Sequence, residues 1–306
     1  MARYGKFGKE SVYGTPVAGS VTVPIIKESL SLKHGSIRSK TVDSRALTKS
    51  VGGPKLVGGG WEQYLNYANC GLSLAAVFGS EAYSSPDTGV GLHKFTYNAL
   101  TLPSLTARIG LHDVKEKICH GIGIDTFKLE ASPDDFLKAI FGVVGEDITD
   151  DTVDAAPSFS TQDYATVTNT FTLAGSAATP ENLEITVKNN LKKNNHNITS
   201  RTLPRLELGE LDITGKMSIR FLAATHLDNF LAGTRVKLIA KWQGALITGT
   251  SYNFLQVTLD SIEYDASEAF VDKQKRLVED LPFTVVKVGT DIIEVQLQNT
   301  DTASYL

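Results

Sequence analysis

IDTFKLEAS at residues 124–132 and LDSIEYDAS at residues 259–267 are two versions of one segment. Asp125/Asp260, Ala131/Ala266 and Ser132/Ser267 are identical, Ile124/Leu259, Thr126/Ser261 and Glu130/Asp265 are similar, and the offset is 259 − 124 = 135. Two further matches lie upstream in the same order. KESLSLKHGSIRS (27–39) aligns with KNNLKKNNHNITS (188–200) at offset 161, and YLNYANCG (64–71) with HLDNFLAG (226–233) at offset 162. The difference, 162 − 135 = 27, places extra residues in the first half, and SEAYSSPDTGVGL (80–92) has the loop composition to hold them. The pattern predicts a duplicated chain. The first repeat covers 1–150 with long loops at 39–60 and 80–94, the second covers 158–306, and the acidic stretch GEDITDDTVDAAP (145–157) links them.

A chain of 306 residues is long enough for two such cores. Between Gly, Asn, Asp and Pro clusters the segments are short and rich in Val, Ile, Thr, Leu and Phe, which is strand composition. Expected strands are 20–32, 95–110, 118–131, 164–174, 183–191, 205–221 with a bulge at Gly209, 234–247, 252–265, 282–288 and 291–298. Two segments read as helices instead. In 61–76 the residues Trp61, Tyr64, Leu65, Ala68, Leu72, Ala75 and Ala76 recur at helical spacing. In 225–233 Thr225 is placed to cap, Leu227, Phe230 and Leu231 form a stripe, and Gly233 suits the left-handed end. SPDDFLKAIFG (132–142) fits either a helix start or a turn leading to a strand, with the second favoured. The fold class expected is mainly β, as two tandem β-sandwich or barrel domains, each with one flanking helix.

Thirty Lys+Arg against 34 Asp+Glu give a net charge of −4, so the chain as a whole lacks the basic excess for coating nucleic acid or an anionic membrane. No apolar run of about 18 residues is present to span a bilayer. The opening MARYGKFGKESVYGTPVAGS lacks the apolar core of a secretory signal, which leads to an expectation of cytosolic synthesis. Cys70 and Cys119 are expected to be unpaired, with Cys70 buried.

Catalytic and cofactor motifs fail on spacing. The histidines, His34, His93, His112, His120, His196 and His226, contain no pair four residues apart, and His120 beside Cys119 has no second thiol near it. In VGGPKLVGGG (51–60), Lys55 lacks both the glycine spacing of a phosphate loop and the Ser or Thr that follows its lysine. Gly121 and Gly123 lack the third glycine of a dinucleotide turn. The acids Glu146, Asp147, Asp150, Asp151 and Asp154 lack the alternating spacing of a calcium loop. No catalytic, metal or cofactor residue is therefore assigned.

Four stretches, GKFGKESVYGTPV (5–17), PIIKESLSL (24–32), GGGWEQYLNYANCGLSLAAVFGS (58–80) and HGIGIDTFKLEAS (120–132), resemble the tail tube proteins of long-tailed bacteriophages. The similarity runs through about residues 5–175 and is echoed downstream. The resemblance implies a β-sandwich or barrel with a flanking helix, similar to the tube protein of type VI secretion. It implies sheets joined around a ring, and rings stacked into a hollow tube. It implies no catalytic residues, and double-stranded DNA as transient cargo. Two-lobed chains would close a six-lobed ring as trimers, 6 / 2 = 3. Expected partners are further copies of the chain and other tail proteins such as terminator, tape measure and distal tail or baseplate proteins, in a virion tail made in the host bacterial cytoplasm. A tail adaptor or baseplate hub ring protein would use the same fold. A carbohydrate-binding module is the rival from another class, but it needs exposed aromatics, and Trp61 and Trp242 do not form a row.

Charge is segregated along the chain. Residues 33–55 hold Lys33, Arg38, Lys40, Arg45, Lys49 and Lys55 against Asp43, a net of 6 − 1 = +5. Residues 130–154 hold Glu130, Asp134, Asp135, Glu146, Asp147, Asp150, Asp151 and Asp154 against Lys138, a net of 1 − 8 = −7. Arg38, Lys40, Arg45, Lys49 and Lys55 are the candidate ring-stacking loop. Asp134, Asp135, Glu146, Asp147, Asp150 and Asp151 are its candidate acidic partner; two solvated loops are the alternative.

Overall fold

The computed structural model describes residues 4–39, 46–112, 114–153, 159, 163–164, 169–221, 224–271, 277–289 and 292–306. In chain order the first elements are β1 (Tyr4–Lys9), β2 (Val21–Pro24), β3 (Lys27–Glu28), β4 (Ser31–Ser39), β5 (Lys49–Tyr64) and α1 (Gly71–Phe78). Next come β6 (Gly79–Asp87), β7 (Val90–Tyr97), β8 (Leu105–Leu111), β9 (Lys115–Ala131), β10 (Lys138–Gly145) and β11 (Asp147–Asp151). They are followed by β12 (Asn169–Leu173), β13 (Ser176–Ala178), β14 (Pro180–Lys188), β15 (Asp212–Arg220) and α2 (Thr225–Leu231). The last are β16 (Val236–Thr248), β17 (Ser251–Tyr264), β18 (Glu268–Val271), β19 (Leu277–Val285) and β20 (Glu294–Asn299). The protein is mainly β, and the strand pairs among the described residues are antiparallel.

One pairing scheme occurs twice in chain order. In the first half the β8–β9 hairpin carries β1 on β8, β11 on the opening half of β9 and β10 on its closing half, with β5 on β10. In the second half the β16–β17 hairpin carries β12 on β16, β20 on the opening half of β17 and β19 on its closing end, with β15 on β19. Both β5 and β15 lead into the helices. The β6–β7 hairpin has no counterpart after α2, and it occupies the place where the offset change puts an insertion. Among the described residues two strand seams join the halves, β14 against β9 and β20 against β7.

Burial explains the central strands. Along β9, Phe127, Leu129 and Ala131 point into the core while Thr126, Lys128 and Glu130 point out, the period of two that a half-covered sheet requires. Trp61 stacks between Phe7, at 4.6 Å between ring centroids, and Phe141, at 4.9 Å. Its indole nitrogen donates to Gln63 Oε1 at 2.9 Å, so the buried polar end is satisfied. A single buried cluster includes Trp61 and Trp242, and neither tryptophan is available to a sugar.

The helix expected over 61–76 is corrected. Residues through Tyr64 are β5, paired with β3 and β10, and the helix is Gly71–Phe78. Trp61, Tyr64 and Leu65 sit at helical spacing, but Gly58–Gly60 disfavours a helix and the flanking strands supply a ladder that overrides the pattern. Cys70 therefore stands at the N-cap rather than inside α1, buried and free, as is Cys119. Burial pushes the Cys119 thiol up to about 12. Gly71 faces the Tyr305 ring so closely that a Cβ has no room. The second helix falls where expected, and Gly233 takes φ 61° just beyond it, but Ala224 rather than Thr225 holds the N-cap position. The two helices start 225 − 71 = 154 residues apart. The residues matched at 162 are therefore not equivalent.

Other expectations also change. The loops placed at 39–60 and 80–94 are largely the β4–β5 and β6–β7 hairpins, because cross-strand pairing organises polar and glycine-rich sequence that lacks an apolar signature of its own. Within the acidic linker, Asp147–Asp151 form β11 against Glu116–His120. Of 205–221 only Asp212–Arg220 is strand, so Gly209 is not a bulge within one. The turn-and-strand reading of 132–142 holds, with β10 beginning at Lys138.

The C-terminal residues are pinned to the inserted hairpin. Glu81 Oε2 accepts from Ser304 Oγ at 2.8 Å and from the Tyr305 and Leu306 amides at 2.8 and 3.0 Å, while Oε1 lies 2.7 Å from His93 Nδ1. Burial alone would raise the Glu81 pKa, but the His93, Ser304 and Tyr305 hydrogen bonds outweigh it and hold it low.

Candidate functional site

Two surfaces carry the charge of this protein. The first is the β4–β5 hairpin, with Ser39 opposite Lys49, Arg38 opposite Ser50 and His34 opposite Lys55. Its outer part is exposed on both strands, and Arg38 Nε donates to nearby Ser36 Oγ at 2.9 Å. Lys40 and Arg45 lie outside the described residues. The base is gripped by the second half: the Lys55 amide donates to Arg201 O at 2.6 Å, His196 Nε2 lies 2.8 Å from Lys55 O, and Arg201 Nε donates to Gly53 O at 2.9 Å. Lys55 itself donates to Asp147 Oδ2 at 2.6 Å.

The acidic candidates divide into two places. Asp134 and Asp135 occupy the exposed turn before β10, whereas Glu146–Asp151 follow its far end, and a strand of eight residues separates the groups by about 25 Å. In the second group Asp147 meets Lys55, Asp150 meets Lys115, and Asp151 is 3.4 Å from Arg108. Glu146 accepts from Thr202 Oγ1 at 3.0 Å. Several of these acids are thus matched within the chain.

The second surface was not singled out from the sequence. A row of directly opposed residues crosses eight strands: Glu263, Thr284, Thr214, Thr186, Lys128, Ile140, Glu62 and Lys27. Seven of the eight are polar, because each strand turns its apolar residues to the core and its polar residues outward. Beside the row, Lys128 bridges Glu130 at 2.8 Å and Glu184 at 2.9 Å, Lys138 reaches Glu62 at 3.2 Å, and Lys216 meets Asp280 at 2.7 Å. Partial burial would lower the Lys128 pKa, but its two carboxylates outweigh this and keep it raised. The face is polar, charged and close to balanced in sign. The alternation Thr126, Lys128, Glu130 carried this signal in the sequence, but only strand order makes it a surface.

Among the described residues no group of three or more His, Cys, Asp or Glu could hold a metal, and no helix is long and apolar enough to cross a membrane. The described surfaces are thus those of an extended antiparallel β protein with a charge-balanced polar face and an exposed basic hairpin. The family model for phage tail tube proteins matches residues 5–285, nearly the whole length, and the chain belongs to that family. Comparison with curated proteins finds no match. Membership points to a non-catalytic, structural component of the virion tail that associates with itself and with other tail proteins.

Proposed function

We propose that this protein builds the hollow tube of a phage tail, with three copies closing a ring, rings stacking end to end, and the channel conducting DNA during ejection. The observation that carries the reading is the recurrent pairing scheme together with the eight-strand row. The chain reads as two tandem tube-type repeats over 1–150 and 158–306, joined by adding β14 of one to β9 of the other. A join of this kind, repeated between chains, closes a ring. Three copies of eight strands make 3 × 8 = 24, and at about 4.8 Å per strand with a tilt near 40° such a barrel has a backbone diameter on the order of 45–50 Å. That is wide enough for a DNA duplex.

The polar face of the row would line the channel. Its lysines are held by carboxylates, so DNA phosphates find few unneutralised cations and would not be retained on the way out. The β4–β5 hairpin, with Arg38, Lys40, Arg45 and Lys49, would reach toward the next ring, and Asp134 and Asp135 are its exposed acidic counterparts. Tube ends would meet terminator, tape measure and distal tail or baseplate proteins, and assembly would begin in the host bacterial cytoplasm. Negative-stain electron microscopy and mass photometry of the purified protein test this reading. Hollow filaments or three-chain rings are expected; a protein that stays monomeric at high concentration would overturn it.

A further inference from the structure

We infer that the ring closes by pairing Pro24–Lys27 of one copy, antiparallel, with Glu263–Ala266 of the next, so that Lys27 lies opposite Glu263, Ile26 opposite Tyr264 and Ile25 opposite Asp265. The inference rests on the tube reading and names the strands and register that join its subunits.

The register comes from the seam inside the chain. Across the sheet, Lys128 is opposite Ile140, Ile140 opposite Glu62, and Glu62 opposite Lys27. In the second half Glu263 is opposite Thr284, Thr284 opposite Thr214, and Thr214 opposite Thr186. Lys128 and Glu263 are equivalent by the repeat offset, 263 − 128 = 135, so by strand register Lys27 corresponds to Thr186, two residues from the Lys188 that the sequence match aligned with it. The internal seam places Thr186 opposite Lys128, Ile185 opposite Leu129, Glu184 opposite Glu130 and Leu183 opposite Ala131. Moving each pair to its equivalents gives Lys27 with Glu263, Ile26 with Tyr264, Ile25 with Asp265 and Pro24 with Ala266. Pro24, which has no N–H to donate, falls at the end of the segment.

Both ends of the row are suited to this join. Among the described residues no other strand pairs with Lys27 on the side away from β5. On β17 the neighbouring strand β16 ends at Val236 opposite Ile262, and among the described residues no strand pairs with that edge from Glu263 onward. The terminal residues have opposite charge, and their side chains are 71% and 44% exposed. Ile26 beside Lys27 is 47% exposed, an apolar residue that the join would cover. The helices agree. Every residue of α1 is buried, and Asn189, just past the internal seam, donates to Val77 O at 3.0 Å at its end. No residue of α2 is buried, and Leu231 is 72% exposed, as expected where the equivalent cover comes from another chain.

The pair Lys27–Glu263 is equivalent to Thr186–Lys128, which lies between bonded positions, since the Asn189 amide bonds Asp125 O three residues along. In such non-bonded pairs the Cβ atoms come closest, about 4.5–5.5 Å, near the span of a disulfide. The test is therefore K27C/E263C in the full-length protein, oxidised after assembly and run under non-reducing denaturing conditions. Cys70 and Cys119 are buried and do not compete. The expected result is near-complete conversion to a covalent closed ring of three chains, with no ladder from either single variant. The register control K27C/D265C is displaced by two residues and should cross-link at least about tenfold more slowly, because diagonal neighbours lie about 7–8 Å apart. Rings or tubes that form in the microscope but leave K27C/E263C uncross-linked would overturn the register while sparing the tube reading. Absence of any assembly by the unmodified protein would overturn both. A closed band of six chains would support the strand pairing and reject the three-chain count. Unchanged thermal unfolding of the reduced double variant establishes that it folds.

Discussion

Lys55 and Asp147, residues from the basic and acidic blocks of the sequence, meet inside one chain: Lys55 Nζ lies 2.6 Å from Asp147 Oδ2, with the two side chains 29% and 18% exposed. Part of the charge complementarity is therefore spent within the fold, tying β5 to the strand after β10. Replacing Lys55 by Met is expected to lower unfolding stability by about 1 kcal/mol, the upper end for a partly exposed pair. A double-mutant cycle with D147N in urea checks this, and the two losses should not add.

The outer hairpin should behave differently. Reversing Arg38, Lys40, Arg45 and Lys49 to Glu is expected to leave the thermal stability of the chain within a few degrees while slowing filament growth strongly at low salt. Added salt should narrow the gap by screening the repulsion. Light scattering across a salt series measures it; equal growth at every salt concentration would show that stacking uses another surface.

Trp61 is expected to be among the costliest side chains to remove. It is 1% exposed and stacked on Phe7 and Phe141, so W61A should destabilise the fold by about 3–5 kcal/mol through lost burial and a cavity. Urea unfolding followed by circular dichroism checks the size, and W61F should recover a large share of the loss.

Glu81 makes the attachment of the C-terminal residues dependent on pH. Its pKa is depressed on folding, so its contribution is present above the ordinary glutamate range and fades as pH falls through the lower folded value. E81Q is expected to melt lower than the parent at neutral pH and to converge with it in acid. Melting curves of both proteins from neutral to acid pH test the sign.

The β character was legible in the sequence because it rests on local composition, on short segments rich in Val, Ile, Thr, Leu and Phe between turn residues. The first helix was misplaced because Trp61, Tyr64 and Leu65 satisfy helical spacing while belonging to a strand and the turn after it. The hairpins β4–β5 and β6–β7 were missed because β4, the start of β5 and most of β6 are exposed and carry no buried stripe to betray them. The polar face from Glu263 to Lys27 was out of reach for another reason: its eight residues come from eight separate strands.

By itself the sequence determined a mainly β protein of near-neutral charge, since local propensity, alternation and composition are properties of neighbouring residues. Tertiary structure alone decided which charges cancel inside the chain and which stay on the surface. It also decided that β14 joins β9, and that among the described residues no strand pairs with the free sides of Lys27 and Glu263. Strand order and register depend on long-range hydrogen bonding and on how side chains fill the core, and a shift of one residue would turn the polar row inward.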